Sequence, residues 1–267
     1  MQKISPVWNN ILAVGFAIFF WVPFALFHGG SFLSLTRFDL FLSSIIALLY
    51  LTYYYAIERG KLILTATLLS TYQVTAVILS IIFLHERPST VQLLAILLII
   101  VGTFLISSDE VRRLLTILKT KTSEIKLSWV VWGLFGGFCN GVGDFLSKIG
   151  VVKTGPYNFL LALAVGYVLT IGINLLFDKK GLKRSPWKAP KLFIYTLVGT
   201  GFVELGLIAL NLAFETGPAS LVSPIISSSI VVTVILAALF LKEKVTKIEL
   251  YGVLTTIFGI LLINISK

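Results

Sequence analysis

A chain of 267 residues with 57% hydrophobic and only 13% charged residues is too apolar for a water-soluble domain of its size. Its formal charge of +10 suggests a nucleic-acid partner, but the basic residues sit in short connections between apolar stretches, where they set membrane topology instead. One cysteine, Cys139, and two histidines, His28 and His85, can build neither a disulfide framework nor a Cys/His metal centre, and no cofactor is expected.

Nine stretches approach the roughly 20 apolar residues that a helix needs to cross the hydrocarbon core: 7–28, 38–57, 61–84, 90–107, 128–148, 156–177, 191–214, 218–241 and 247–265. They lack the alternation of a membrane barrel, so helices are predicted throughout. The first follows a single Lys3 and has no small-residue cleavage site, which makes it a span that stays. The third carries a polar centre, Ser70, Thr71, Tyr72 and Gln73. The fourth opens on Ser89-x-x-Gln92, a capping box, just after Glu86, which is placed to accept amides from the same helix start.

The linker at 108–127 has Val111, Leu114, Leu115 and Leu118 at helical spacing among basic residues. It fits a helix on the membrane surface and equally a solvated tether. The fifth stretch, 128–148, places Trp132, Gly136, Asn140, Asp144 and Lys148 at steps of four, a polar stripe that should face a cavity. Asn140 can donate and accept toward a substrate, and Asp144 and Lys148 are spaced for an ion pair. Beside them Gly133, Gly137 and Gly141 predict close approach by another helix.

Glu204 lies near the middle of the seventh stretch. A carboxylate at a helix centre costs about 2.5–3.5 kcal/mol on insertion scales, so it should face the bundle interior and meet a proton, a partner or a substrate amine. The eighth stretch holds Ser223, Pro224, which should kink it, and Ser227, Ser228 and Ser229. The ninth opens on Thr246-x-x-Glu249, a second capping box.

The halves repeat. Residues 58–106 align without a gap onto 215–263 at an offset of 157, and 17 of the 49 pairs are identical, among them Glu58/Glu215, Gly60/Gly217, Ser70/Ser227, Phe83/Phe240, Glu86/Glu243 and Gly102/Gly259. An internally duplicated apolar chain is the mark of a secondary transporter with its site between repeats. The domain reading is a first repeat over 1–107, the basic linker 108–127, and a second repeat over 128–267. Because 128–148 has no counterpart after Met1, the first repeat is expected to lack its first helix, with four plus five spans here and ten in a complete protein. Seventeen Lys and Arg residues fall on one face and five on the other, which puts Met1 in the cytoplasm and Lys267 outside.

The duplicated unit ends in Phe83-Leu84-His85-Glu86-Arg87 and again in Phe240-Leu241-Lys242-Glu243-Lys244, each followed by the Ser/Thr-x-x-Gln/Glu turn and a last span with Gly102 or Gly259. This resembles the EamA-type members of the drug/metabolite transporter superfamily over essentially the whole chain. The resemblance implies two inverted five-helix repeats, a central cavity, export of small metabolites and both termini in the cytoplasm, the last at odds with the charge count.

The expected protein is therefore an all-α, polytopic permease of the plasma membrane. It moves a small polar or amphipathic metabolite by alternating access, with Glu204, Asn140, Asp144, Tyr72, Gln73, Trp132, Ser223 and Ser227 as substrate or coupling residues and Lys148 as the ion-pair partner of Asp144. A lipid flippase on the same fold is the alternative. The bilayer and a small-molecule substrate are the expected partners, and proton coupling and a homodimer stay open. An enzyme would need a metal cluster or an activated nucleophile, for which the residues are lacking.

Overall fold

The computed structural model describes residues 4–59, 65, 68–107, 128–183, 190–236, 238–239 and 245–265, and helices occupy all nine apolar stretches. The linker at 108–127, Lys3 and Glu243 lie outside the described residues. The elements in chain order are α1 (Pro6–Phe27), α2 (Arg37–Arg59), α3 (Tyr72–Phe83), α4 (Thr90–Ile106), α5 (Ser128–Thr154), α6 (Pro156–Phe177), α7 (Lys179–Lys183), α8 (Pro190–Thr216), α9 (Ala219–Ser227), α10 (Ser229–Leu236) and α11 (Lys247–Ile265). Of these, α1, α2, α6, α8 and α11 are long and apolar enough to cross a bilayer alone. Among the described residues there is no strand, and the protein is an all-α polytopic membrane protein.

The distribution of side chains suits lipid rather than water. Phe19, Phe27, Phe41, Phe177, Phe202 and Ile265 are exposed, whereas Asn10, Gln73, Thr103, Thr170, Glu204 and Thr256 are buried. The local chemistry follows the sequence. Both capping boxes form: Ser89 N–H donates to Gln92 Oε1 at 2.9 Å and Gln92 N–H to Ser89 Oγ at 3.3 Å, and Thr246 and Glu249 exchange the equivalent pair at 2.6 and 3.3 Å. Pro6 and Pro156 each occupy a first helical turn.

The chain forms two compact units, each drawing on both sequence halves: Met1–Arg59 with Val142–Thr216, and Gly60–Gly141 with Gly217–Lys267. The division falls inside α5. In the first unit α6 is the centre, with Phe159, Leu160, Leu161, Ala162 and Leu163 almost wholly buried and α1, α2 and α8 packed on it. Gly155, at φ +82°, makes the sharp turn from α5 into α6 that a side chain would resist. Within α1 a π turn over Ala17–Trp21 interrupts the regular ladder.

The second unit packs α4 against α11 backbone to backbone. A Cβ on Gly102 would lie 2.2 Å from Thr256 Oγ1 and 2.8 Å from the Gly252 carbonyl oxygen, and one on Gly259 would lie 2.9 Å from the Ala95 oxygen. The first part of α5 behaves similarly. A Cβ on Gly137 would meet Thr71 Oγ1 at 2.4 Å and one on Gly141 the Tyr72 carbonyl oxygen at 2.4 Å, so the predicted glycine stripe is a packing surface for residues 68–75.

The eighth stretch is two helices, not one kinked helix. Pro224 sits inside α9, but the break comes at Ser228. There Ser228 N–H donates to Ile225 O at 3.2 Å and Val231 N–H to Ser228 O at 2.9 Å. One repeat earlier, Thr71 N–H donates to Leu68 O at 3.3 Å and Val74 N–H to Thr71 O at 3.1 Å. The tight i to i+3 turns stand at the same offset of 157, so a break without proline in one copy matches a break after proline in the other. Its shared cause is the run of hydroxyls at both places, which bond their own helix carbonyls: Thr71 Oγ1 to Leu68 O at 2.8 Å, and Ser227 Oγ to Pro224 O at 2.7 Å.

Candidate substrate and coupling site

In the first unit α8 turns Gly201, Glu204, Ile208 and Asn211 inward, a buried face at steps of three and four. Glu204 is 1% exposed, and neither of its carboxylate oxygens has a hydrogen-bond partner among the described residues. Its backbone is held instead. The fully buried Trp21, at the end of the π turn of α1, donates its indole N–H to the Glu204 carbonyl oxygen at 3.0 Å and meets the Tyr167 ring edge-on at 5.0 Å. Tyr54 of α2 and Tyr167 of α6 both lie within electrostatic reach of Glu204. A buried ion left unpaired costs several kcal/mol, so a charged Glu204 would need a partner.

The second part of α5 adds Asp144, 5% exposed, which accepts the Tyr50 hydroxyl proton at 2.9 Å, with Ser147 Oγ 3.4 Å from the same phenol. Lys148 is half-buried and donates from Nζ to the Phe214 carbonyl near the end of α8. Asn10, Thr170, Asn174 and Tyr55 form a second polar group: Thr170 Oγ1 donates to Asn10 Oδ1 at 3.1 Å and Tyr55 to Asn174 Oδ1, leaving both amide nitrogens without a partner among the described residues.

In the second unit Gln73 is fully buried and uses both ends of its amide. Its Nε2 donates to Thr103 Oγ1 at 2.9 Å, and its Oε1 accepts from Ser227. Tyr72 is half-buried beside it. Ser223 is fully buried, and its hydroxyl has no partner among the described residues. Trp132 is half-buried and edge-on to Phe135 at 6.0 Å, while Asn140 Nδ2 donates to the Gly136 carbonyl at 2.7 Å. The α5 stripe is thus the inner side of that helix, with Val131, Leu134, Phe135 and Phe138 exposed opposite.

Glu86 caps a helix other than the one the sequence suggested. Its Oε1 and Oε2 each accept at 2.8 Å, from the N–H groups of Ala219 and Ser220, so it closes the start of α9, 133 residues away, rather than α4. The structure therefore places Glu204 and Asp144 in one unit and joins Gln73 to Ser227 in the other. Sequence reading missed Trp21, Tyr50, Tyr54 and Tyr167. The pair Tyr50 and Tyr54 was the available signal, two phenols one helical turn apart.

The EamA-like transporter family profile matches residues 1–108 and 127–265. An uncharacterized protein of Methanocaldococcus jannaschii is 31% identical over 138 residues, 52% of this chain and 97% of that one, so a free-standing relative of about one repeat's length exists. The Arabidopsis thaliana protein named "Probable magnesium transporter NIPA7" is 33% identical over 114 residues, 39% of this chain and 35% of its own. A solved crystal structure superimposes with a TM-score of 0.76 at 12% identity, covering 99% of this chain and 89% of the other, a likeness of fold alone. With the family profile covering nearly its whole length, the chain belongs to the EamA-like transporter family, as an integral membrane transporter of small molecules and not an enzyme.

Proposed function

We propose that the protein is a proton-coupled secondary transporter, exporting a small polar or amphipathic metabolite across the plasma membrane by alternating access, with Glu204 as its coupling site. The observation that carries this reading is the Glu204 carboxyl, buried on the inner face of α8 with neither oxygen partnered among the described residues. Asp144 in the same unit supplies a further group for substrate, and Asn140 and Trp132 are candidate substrate groups of the second unit. Tyr72, Gln73, Ser223 and Ser227 lie in the second unit, where Gln73 bonds to Thr103 and Ser227, and they are read there as groups that pack helices.

The test is flux in proteoliposomes against a metabolite panel, with and without a pH gradient. Glu204→Gln should abolish the gradient-driven component and leave substrate exchange at zero gradient. A variant that keeps gradient-driven flux at the wild-type level removes Glu204 as the coupling site.

A second reading, transport of Mg²⁺, is favoured by the named plant relatives, whose match covers 114 residues of this chain. Mg²⁺ takes oxygen ligands and keeps several waters. Mg²⁺ entry reported by a trapped indicator dye, lost in Glu204→Gln and unaffected by the metabolites, would support it over the first.

A further inference from the structure

Residues 178–191 of the first unit carry six lysines and arginines against a single acid, Asp178. Setting topology asks only that such charges lie on a connection, and a slack loop would serve. The lysines of α7 stand instead on a turn fastened from several sides. Buried Ser5 caps α1 by accepting from Trp8 N–H, and its own hydroxyl donates to the Gly181 carbonyl at 2.9 Å. The Trp8 indole N–H donates to the Leu182 carbonyl at 3.2 Å. Asp178 is engaged within the turn, its N–H donating to Asn174 O at 2.8 Å and its Oδ1 accepting from Gly181 N–H at 2.9 Å. Gly181 lets the turn close on α1: a Cβ there would lie 2.4 Å from Asp178 Oδ2 and 2.9 Å from Val7 Cγ2.

The outward side of this turn has two layers. Leu176 and Phe177, which end the membrane-spanning α6, are 72% and 85% exposed, and Leu182 is exposed on α7 itself. Lys179, Lys180 and Lys183 are exposed beside them. Lys183 lies three residues after Lys180 and four after Lys179, so the three ammonium groups share one side of the helix. Apolar side chains at the end of a span face acyl chains, which sets the lysines that follow at the depth of the headgroups, where a half-buried indole such as Trp8 also belongs. We propose that α7 is a docking surface for anionic phospholipid, with Lys179, Lys180 and Lys183 taking the headgroup phosphate and Leu176, Phe177 and Leu182 lying against the acyl chains. Charge complementarity selects the occupant, because a zwitterionic headgroup carries its own cation and gains little from three more. Since α1 holds two carbonyls of the turn, a lipid bound there also anchors the start of α1. The surface is independent of coupling at Glu204.

The experiment reads lipid preference and needs no substrate. In phosphatidylcholine proteoliposomes, spin-labelled phosphatidylglycerol should be held at the protein surface with about fivefold higher relative affinity than spin-labelled phosphatidylcholine, the effect of one basic residue near an anionic surface. Lys179→Gln, Lys180→Gln and Lys183→Gln combined should bring the two probes level at an unchanged melting temperature, because these side chains are exposed. Lys153→Gln removes a charge near the opposite end of α6 and should keep the preference. Wild-type protein that holds both probes alike overturns the proposal without recourse to any variant. A triple variant that keeps the preference overturns it too, as does a Lys153→Gln variant that loses it, since net charge rather than this turn would then be the cause. Displacement of the phosphatidylglycerol probe by inorganic phosphate at constant ionic strength would give the turn to a soluble anion, and lipid docking would fail on that result as well.

Discussion

The two units differ in which buried atoms they leave unpaired. Among the described residues, the first unit leaves amide and carboxyl atoms, of Asn10, Asn174, Glu204 and Asn211, whereas the second leaves only hydroxyls, of Thr65, Ser80, Ser107, Ser220 and Ser223. The distinction is physical. A helical hydroxyl rotates onto a carbonyl of its own preceding turn at small cost. A carboxyl or primary amide has more donors and acceptors than its own helix can satisfy. Where the second unit does bury such groups it closes them: Gln73 with Thr103 and Ser227, and Glu86 with two amides of α9. Its buried amide and carboxylate groups hold helices together, whereas the first unit buries the Glu204 carboxyl with no partner among the described residues.

The largest expected effect is a crossed pair of substitutions. Glu204→Leu should eliminate gradient-driven flux while the melting temperature in detergent stays level or rises, because an acid without partners is exchanged for an apolar side chain of similar volume. Gln73→Leu should do the reverse, keeping flux and losing about 1 kcal/mol, the net worth of a buried hydrogen bond whose partners fall back on their own helices. If Glu204→Leu destabilised the protein and spared flux, the contrast between the units would collapse.

Next comes the glycine contact of the second unit. Gly102→Val would drive its side chain into Thr256 and the Gly252 carbonyl and should cost about 1–3 kcal/mol in melting experiments, the usual range for overpacking. Gly206 of α8 is the opposite case. A Cβ there meets nothing within 4 Å, and Gly206→Ala should stabilise by about 0.5–1 kcal/mol through helix propensity alone.

Much of this was legible beforehand because membrane helices announce themselves locally. The spans at 156–177 and 247–265 needed only hydropathy, and both capping boxes and the Gly133, Gly137 and Gly141 stripe followed from spacing. Glu204 was found because a lone carboxylate in an apolar run has to be explained. What sequence could not supply was pairing across distance. Glu86 has a helix start three residues on, yet it caps α9, and nothing local distinguishes the two. Tyr50 and Tyr167 were hidden because tyrosine is ordinary in a membrane helix, and only the Tyr50 bond to Asp144 and the Tyr167 ring against Trp21 set them apart. The break at Ser228 was displaced from the expected Pro224 because the serine hydroxyls compete for carbonyls one turn after the proline.

A smaller effect tests the long-range cap. Glu86→Ala should cost about 1–2 kcal/mol, as loss of a helix cap does, and Glu86→Gln should recover part of it, since one amide oxygen still accepts where two carboxylate oxygens did. Melting temperatures of the two variants in one detergent give the ordering, and a Gln variant as unstable as the Ala variant would mean that the charge at the α9 start matters more than the hydrogen bonds.

The smallest expected change separates the two meanings of an unpaired group. Ser223 is fully buried with no partner for its hydroxyl, and Ser227, one helical turn on, donates to Gln73. If the second unit is packing, Ser223→Ala should alter stability by less than about 0.5 kcal/mol, since the hydroxyl it removes satisfies nothing. Ser227→Ala should cost more, because Gln73 Oε1 would then be buried without its donor. Flux should follow neither. Were Ser223→Ala instead to leave melting untouched and raise the KM for a transported metabolite several-fold, the serine face of α9 would belong to the substrate, and the unpaired hydroxyls of the second unit would be binding groups like the carboxyl and amides of the first.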